Sequence, residues 1–116
     1  MIQHAKRASR NGYGKYRLGA AIYNKKGKLI SIGWNKHKTH PRYGSHIFSR
    51  IHAEGDALIK ALKTRKSLRD SYIVVYRQNG NRAKPCPCCE SMLREAGIKY
   101  VYYTDGDNTL KQMRLN

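Results

Sequence analysis

The chain has 116 residues, the size of one domain with a single hydrophobic core. Hydrophobic residues make up 40%, a globular share, and no run approaches the length needed to cross a bilayer, which argues against a membrane partner. Lysine and arginine number 24 against 7 acidic residues, a formal net charge of +17, and residues 1–53 carry 12 basic side chains and no acidic one, so the partner expected is a polyanion or a phosphate-bearing molecule.

In chain order, the N-terminal MIQHAKR lacks the apolar stretch of a secretion signal, and an intracellular, cytoplasmic protein is expected. Residues 2–10 read as a short helix ended by Asn11-Gly12. Arg17–Tyr23 (RLGAAIY) reads as a strand, and Asn24-Lys25-Lys26-Gly27 as a hairpin turn with Gly27 supplying a positive φ. Lys28–Trp34 (KLISIGW) reads as the returning strand, with Leu29, Ile30, Ile32 and Trp34 available for burial. Asn35–Arg50 is a long polar loop, and loops of that length are often functional.

His52–Lys63 follows as a helix, its apolar positions Ala53, Ala57, Leu58, Ala61 and Leu62 at helical spacing. Ser67–Asp70 is a turn, and Tyr72–Tyr76 (YIVVY) is a β-branched run that predicts a buried strand. Gln78–Pro85 is a second polar loop. Cys86–Ala96 reads as a helix with Cys89, Met92, Leu93 and Ala96 on one face, stopped by Gly97. Ile98–Tyr103 reads as another strand, with Tyr100 and Tyr102 on one face and Tyr103 on the other; these read as half-buried strand residues and not as a stacking platform. In the polar tail, Leu110–Arg114 fits a fifth strand or a final helix. Strands alternating with helices predict one α/β domain over residues 1–116, a hairpin feeding a partly parallel sheet.

Three cysteines, Cys86, Cys88 and Cys89, are crowded into four positions. Such a set cannot staple a fold by disulfides and reads as metal-binding or redox chemistry. Cys86 and Cys89, three apart at a helix start, can turn both sulfurs the same way, where free N–H groups and the helix dipole favour thiolate. His52 is the candidate third ligand. Three protein ligands suit a catalytic Zn²⁺, whose bound water has a pKa near 7. Glu54, two residues from His52, is placed to relay that water's proton. A structural zinc would need a fourth ligand, for which Cys88 and His46 are the candidates, and a redox pair would need flanking sequence that is not seen.

His52-x-Glu54 followed by Pro85-Cys86-x-x-Cys89 resembles the signature of the cytidine deaminase superfamily, over roughly Arg17–Tyr103. That superfamily includes cytidine, deoxycytidylate, tRNA-adenosine and APOBEC-type deaminases. The resemblance implies a three-layer α-β-α fold with a mixed sheet of four or five strands. It implies Zn²⁺ on His52, Cys86 and Cys89, with Glu54 as the proton shuttle. It also implies substrate contacts from Asn35, in Gly33-Trp34-Asn35, and from the backbone of Ala53. Family members often oligomerise, which makes a homo-oligomer compatible with the resemblance, although +17 opposes self-association.

Gly55-Asp56-Ala57-Leu58 departs from the methionine-containing stretch of the tRNA-adenosine branch, and Gly97–Tyr103 looks like the corresponding strand of deoxycytidylate-type members. The expected reaction is therefore cytosine to uracil in single-stranded nucleic acid or in deoxycytidylate. A tRNA-type adenosine deaminase and a non-catalytic zinc-containing nucleic-acid-binding module are the alternatives, and Glu54 counts against the second. Lys36, Lys38, Arg42, Tyr43 and Phe48, in the loop that runs into His52, are the candidate contacts to a strand.

Overall fold

Five short stretches, several of them continuous apolar runs, pair into one mixed sheet. The computed structural model describes residues 2–12, 17–35, 52–64, 67–78, 83–106 and 109–116. The strands are β1 (Leu18–Tyr23), β2 (Leu29–Trp34), β3 (Tyr72–Arg77), β4 (Tyr100–Thr104) and β5 (Leu110–Arg114). The helices are α1 (Gln3–Ser9), α2 (Ala53–Thr64) and α3 (Pro87–Glu95). The sheet order is β2-β1-β3-β4-β5. β3 and β4 run parallel, and the other neighbouring pairs are antiparallel.

The tail forms β5, a strand and not a helix, because a short turn around Gly106 returns the chain antiparallel to β4. The β1–β2 hairpin turns as expected at Gly27, whose φ is +87°. Asn24 Oδ1 stabilises that turn by accepting from the N–H groups of Lys26 and Lys28, both at 2.9 Å.

Period-two alternation divides the core into two faces. On one, Ala5 of α1 packs with Ala21, Tyr23, Val74 and Tyr76. On the other, Ala53, Ala57, Ala61 and Leu93 from α2 and α3 pack with Ala20, Ile22, Ile73 and Val75. This is the three-layer arrangement. Some expected burial does not occur. Leu29 is exposed, and Ile30, Ile32 and Trp34 are only half-buried, because β2 is an edge strand. Leu62 and Met92 are exposed, since each falls at the margin of its helix's apolar stripe beside the buried Ala61 and Leu93.

Two devices seat α2 on β2. A Cβ at Gly33 would run into the backbone of α2, lying 2.7 Å from the Ala53 carbonyl oxygen and 2.9 Å from Ala57 Cα. Only a hydrogen fits there, so the helix and strand approach closely. Ser31 adds a hydrogen bond, its hydroxyl donating to the Ala57 carbonyl at 2.8 Å. Asp56 is the second device. It is fully buried, pairs with Lys60 at 3.0 Å and accepts from the Trp34 N–H at 3.2 Å. Lys60 Nζ in turn lies 3.9 Å from the Trp34 ring centroid, a close cation–π contact.

Gly33→Ala is expected to cost about 3 kcal/mol, because two backbones must separate. Gly55→Ala in the adjoining helix meets only Met92 Cε at 3.6 Å and is expected to gain about 0.5–1 kcal/mol from helix propensity. Urea unfolding midpoints of the two variants check the contrast. Asp56→Ala removes the buried acceptor and strands its cation, and is expected to cost about 3 kcal/mol in the same assay.

Candidate active site

The site forms where the N-terminal ends of α2 and α3 meet. His52 immediately precedes α2, and its carbonyl accepts from the Asp56 N–H at 3.0 Å, which starts the helix. Its side chain is exposed. One turn of α2 then buries Ala53, Glu54, Gly55 and Asp56 together. Glu54 keeps only 4% of its surface exposed. Burial raises its carboxyl above the ordinary carboxylate range, opposed by a backbone hydrogen bond, His52 and the Cys89 thiol.

The second half comes from α3. Cys86 is its N-cap in an extended conformation, with φ −68° and ψ 161°, and Pro87 occupies the first helical turn. Proline there has no intrahelical bond to lose and its fixed φ suits a helix start. The Glu90 N–H donates to the Cys86 carbonyl at 2.9 Å and closes the first turn. That turn places Cys86 half-buried, Cys88 exposed and Cys89 buried.

His52 Nδ1 lies 3.7 Å from Cys86 Sγ and 3.3 Å from Cys89 Sγ. All three donor atoms fall within 4.8 Å of one another. Tetrahedral Zn²⁺ with Zn–S near 2.3 Å and Zn–N near 2.05 Å requires N···S separations of about 3.6 Å. The three side chains therefore fit that ion in spacing and in donor type. Electrostatics agrees: burial pushes the Cys89 thiol up, with Glu54 and the neighbouring cysteines adding to the shift. A thiol in that setting needs an adjacent cation to ionise, which a bound divalent metal supplies.

Cys88 stays outside this group. His46, the other candidate for a fourth structural ligand, lies outside the described residues. Ala53 is buried at the first position of α2. Asn35 follows β2, and its Oδ1 accepts from the Leu18 N–H at 2.9 Å, so that oxygen fixes the start of β1. Lys36, Lys38, Arg42, Tyr43 and Phe48 lie outside the described residues. Sequence reasoning did not single out Asp56 as a supporting residue. The signal available was an acid four residues before Lys60 on an otherwise apolar helix face.

The chain matches the family model for the cytidine and deoxycytidylate deaminase zinc-binding region over residues 1–105. No curated protein matches it. Among solved structures it is similar to the dCMP deaminase of the cyanophage S-TIM5, with TM-score 0.72 and 28% identity over 90% of this chain and 79% of that one. That enzyme is also known in complex with dCMP and dUMP. A cytidine deaminase from Burkholderia pseudomallei shares the fold, with TM-score 0.77 and 22% identity over 98% of this chain and 89% of that one. One from Mycobacterium tuberculosis does so with TM-score 0.65 and 21% identity over 97% and 85%. The described residues contain no helix long and apolar enough to cross a membrane. With its histidine and two cysteines gathered for a metal ion, the chain belongs to the cytidine and deoxycytidylate deaminase family and is a zinc-dependent deaminase.

Proposed function

We propose that this enzyme hydrolyses cytosine to uracil in a phosphate-bearing substrate, with deoxycytidylate the first candidate. The observation that carries the reading is the three-donor cluster with a buried carboxyl, Glu54, beside it. The similarity to the cyanophage enzyme known with dCMP and dUMP supports the choice of nucleotide.

In this reading His52 Nδ1, Cys86 Sγ and Cys89 Sγ hold Zn²⁺. The bound ion supplies a Lewis acid that makes a water molecule nucleophilic near neutral pH. With the ion bound, Glu54 would take a proton from the attacking water as its oxygen adds to C4 of the base. Glu54 would pass that proton to the ring nitrogen N3, then take the second proton from the new C4 hydroxyl and hand it to the amino group, which leaves as ammonia. The balance is cytosine plus water to uracil plus ammonia. Burial favours the neutral carboxyl, so Glu54 holds the proton between accepting and donating it. Ala53 presents its backbone to the base, and Asn35 contacts the sugar or base. One folded domain over residues 1–116 is part of the same reading.

A second reading, a polynucleotide substrate, rests on the net charge of +17. A mononucleotide engages only a few cations, whereas a strand uses a whole basic surface. Lys36, Lys38, Arg42, Tyr43 and Phe48 are its proposed contacts.

The purified protein is expected to hold one Zn²⁺ per chain by elemental analysis. Cys86→Ser and Cys89→Ser lose that metal, whereas Cys88→Ser retains it. Unchanged zinc in Cys89→Ser would refute the ligand set. Turnover of dCMP, cytidine, cytosine-containing single-stranded DNA and RNA, and tRNA is read by mass, beside Glu54→Gln. Glu54→Gln is expected to keep zinc and lower kcat on the true substrate by roughly 10²–10⁴-fold. If a polymer is the substrate, its KM rises steeply with salt; a flat response assigns the enzyme to mononucleotides.

A further inference from the structure

The face of the sheet turned away from α2 and α3 carries a row of tyrosines that the catalytic site does not use. Tyr23 of β1 stacks on Tyr72 of β3, with ring centroids 5.1 Å apart and planes at 16°. Tyr72 meets Tyr102 of β4 edge-on at 5.6 Å, and Tyr102 meets Tyr100 at 6.3 Å. Strand alternation and pairing place Arg114 and Gln112 of β5 on this same face, opposite Tyr100 and Tyr102. Helix α1 packs over β1, β2 and β3. Tyr72, Tyr100 and Tyr102 remain half-exposed, whereas Tyr103, pointing to the other face, is buried.

The surroundings are cationic. Lys99 Nζ lies 5.6 Å from the Tyr100 ring centroid. Lys99 and Arg114 also border a cavity of about 500 Å³ between the C-terminal end of α3 and the segments leading into β3 and β4, where Arg69 joins them. Asp70 and Glu95 line the same cavity, setting hydrogen-bond acceptors beside these donors. The residues of β3, β4 and β5 that point to the tyrosine face include no acid.

We propose that this tyrosine face binds single-stranded nucleic acid, with bases stacked on Tyr72, Tyr102 and Tyr100 and phosphates held by Lys99, Arg114 and Arg69. Half-exposed rings 5.6 Å apart between β3 and β4 and 6.3 Å apart along β4, with cations at their margin, offer an extended strand successive aromatic contacts. Charge selects this occupant over a second copy of the chain, because two molecules of net charge +17 repel each other. The face lies across the sheet from His52, Cys86 and Cys89, so a strand bound here leaves the catalytic cluster accessible. Tyr100 and Tyr102 are half-buried strand residues, as expected from the sequence, and the proposal adds a stacking role to them.

The probe is a fluorescent oligothymidylate, which has no exocyclic amine to remove, so binding is read apart from deamination. Anisotropy titrations compare the zinc-loaded protein with Tyr102→Leu, Tyr100→Leu and Tyr102→Phe. Each leucine variant is expected to weaken binding at least about fivefold through the removal of one stack, while Tyr102→Phe binds like the parent. Zinc content and thermal midpoint report that the variants are folded. Should a leucine variant fail to fold, Arg114→Ala supplies the same test, with the log–log salt slope reduced by about 0.7 for each phosphate no longer neutralised. Saturating dCMP is expected to leave oligothymidylate bound. Parental affinity in the folded leucine variants, or displacement by dCMP, overturns the proposal. So does a sedimentation result in which Tyr102→Leu breaks a dimer without changing affinity for the oligonucleotide, since the face would then join two copies of the chain.

Discussion

The distance between α2 and β2 governs the rest of the molecule. Gly33 lets the helix backbone rest almost directly on the strand, and no other side chain fits between them. That contact sets where α2 begins, and with it the positions of His52 and Glu54. The alanines at 53, 57 and 61 extend the same logic along the helix, keeping its inner face narrow. Asp56 locks the register from inside, tying the end of β2 to the helix through Trp34 and Lys60. The metal-donor histidine and the buried carboxyl beside it are thus placed by backbone-to-backbone packing, which is stiffer than contact between long side chains.

Two helix starts then converge, and this concentrates groups that water would otherwise stabilise. Glu54 and Cys89 are both removed from solvent, and burial drives each toward its neutral form. Left alone, such a cluster is a cost to folding. A divalent cation held by His52, Cys86 and Cys89 reverses that balance, because it stabilises the thiolates and fills the space between the donors. The same burial raises the Glu54 carboxyl above the ordinary carboxylate range.

The sheet separates two kinds of surface. One face is closed by α2 and α3 and carries the metal cluster at their ends. The other is covered in part by the short α1 and leaves the β4 tyrosines half-exposed. On the uncovered part, polar and basic side chains from β5 and Lys99 surround the rings. A chain of net charge +17 thus leaves aromatic groups half-exposed on a sheet face that α2 and α3 do not cover.

Local chemistry made much of this legible. The histidine and glutamate two apart, the proline and spaced cysteines, and the alternating apolar runs all act over a few residues. Element types and the three metal donors could therefore be read directly from the chain. Boundaries shifted by a residue or two, as at Cys86, which caps α3 from outside. Other features needed the fold. Leu110–Arg114 became a strand because β4 offered an edge to pair with. Leu29 and Trp34 were left less buried than their hydrophobicity suggested because β2 lies at the sheet's margin. Asp56 took on a structural role because Trp34, 22 positions earlier, came within hydrogen-bond reach. The tyrosine row joins residues 23, 72, 100 and 102, whose nearness comes from strand order alone. The sequence by itself determined the donor groups and the local periodicities, because these depend on neighbours along the chain. Only the tertiary structure decided which distant groups share a face, an edge or a cavity, because those contacts exist only once the strands have paired.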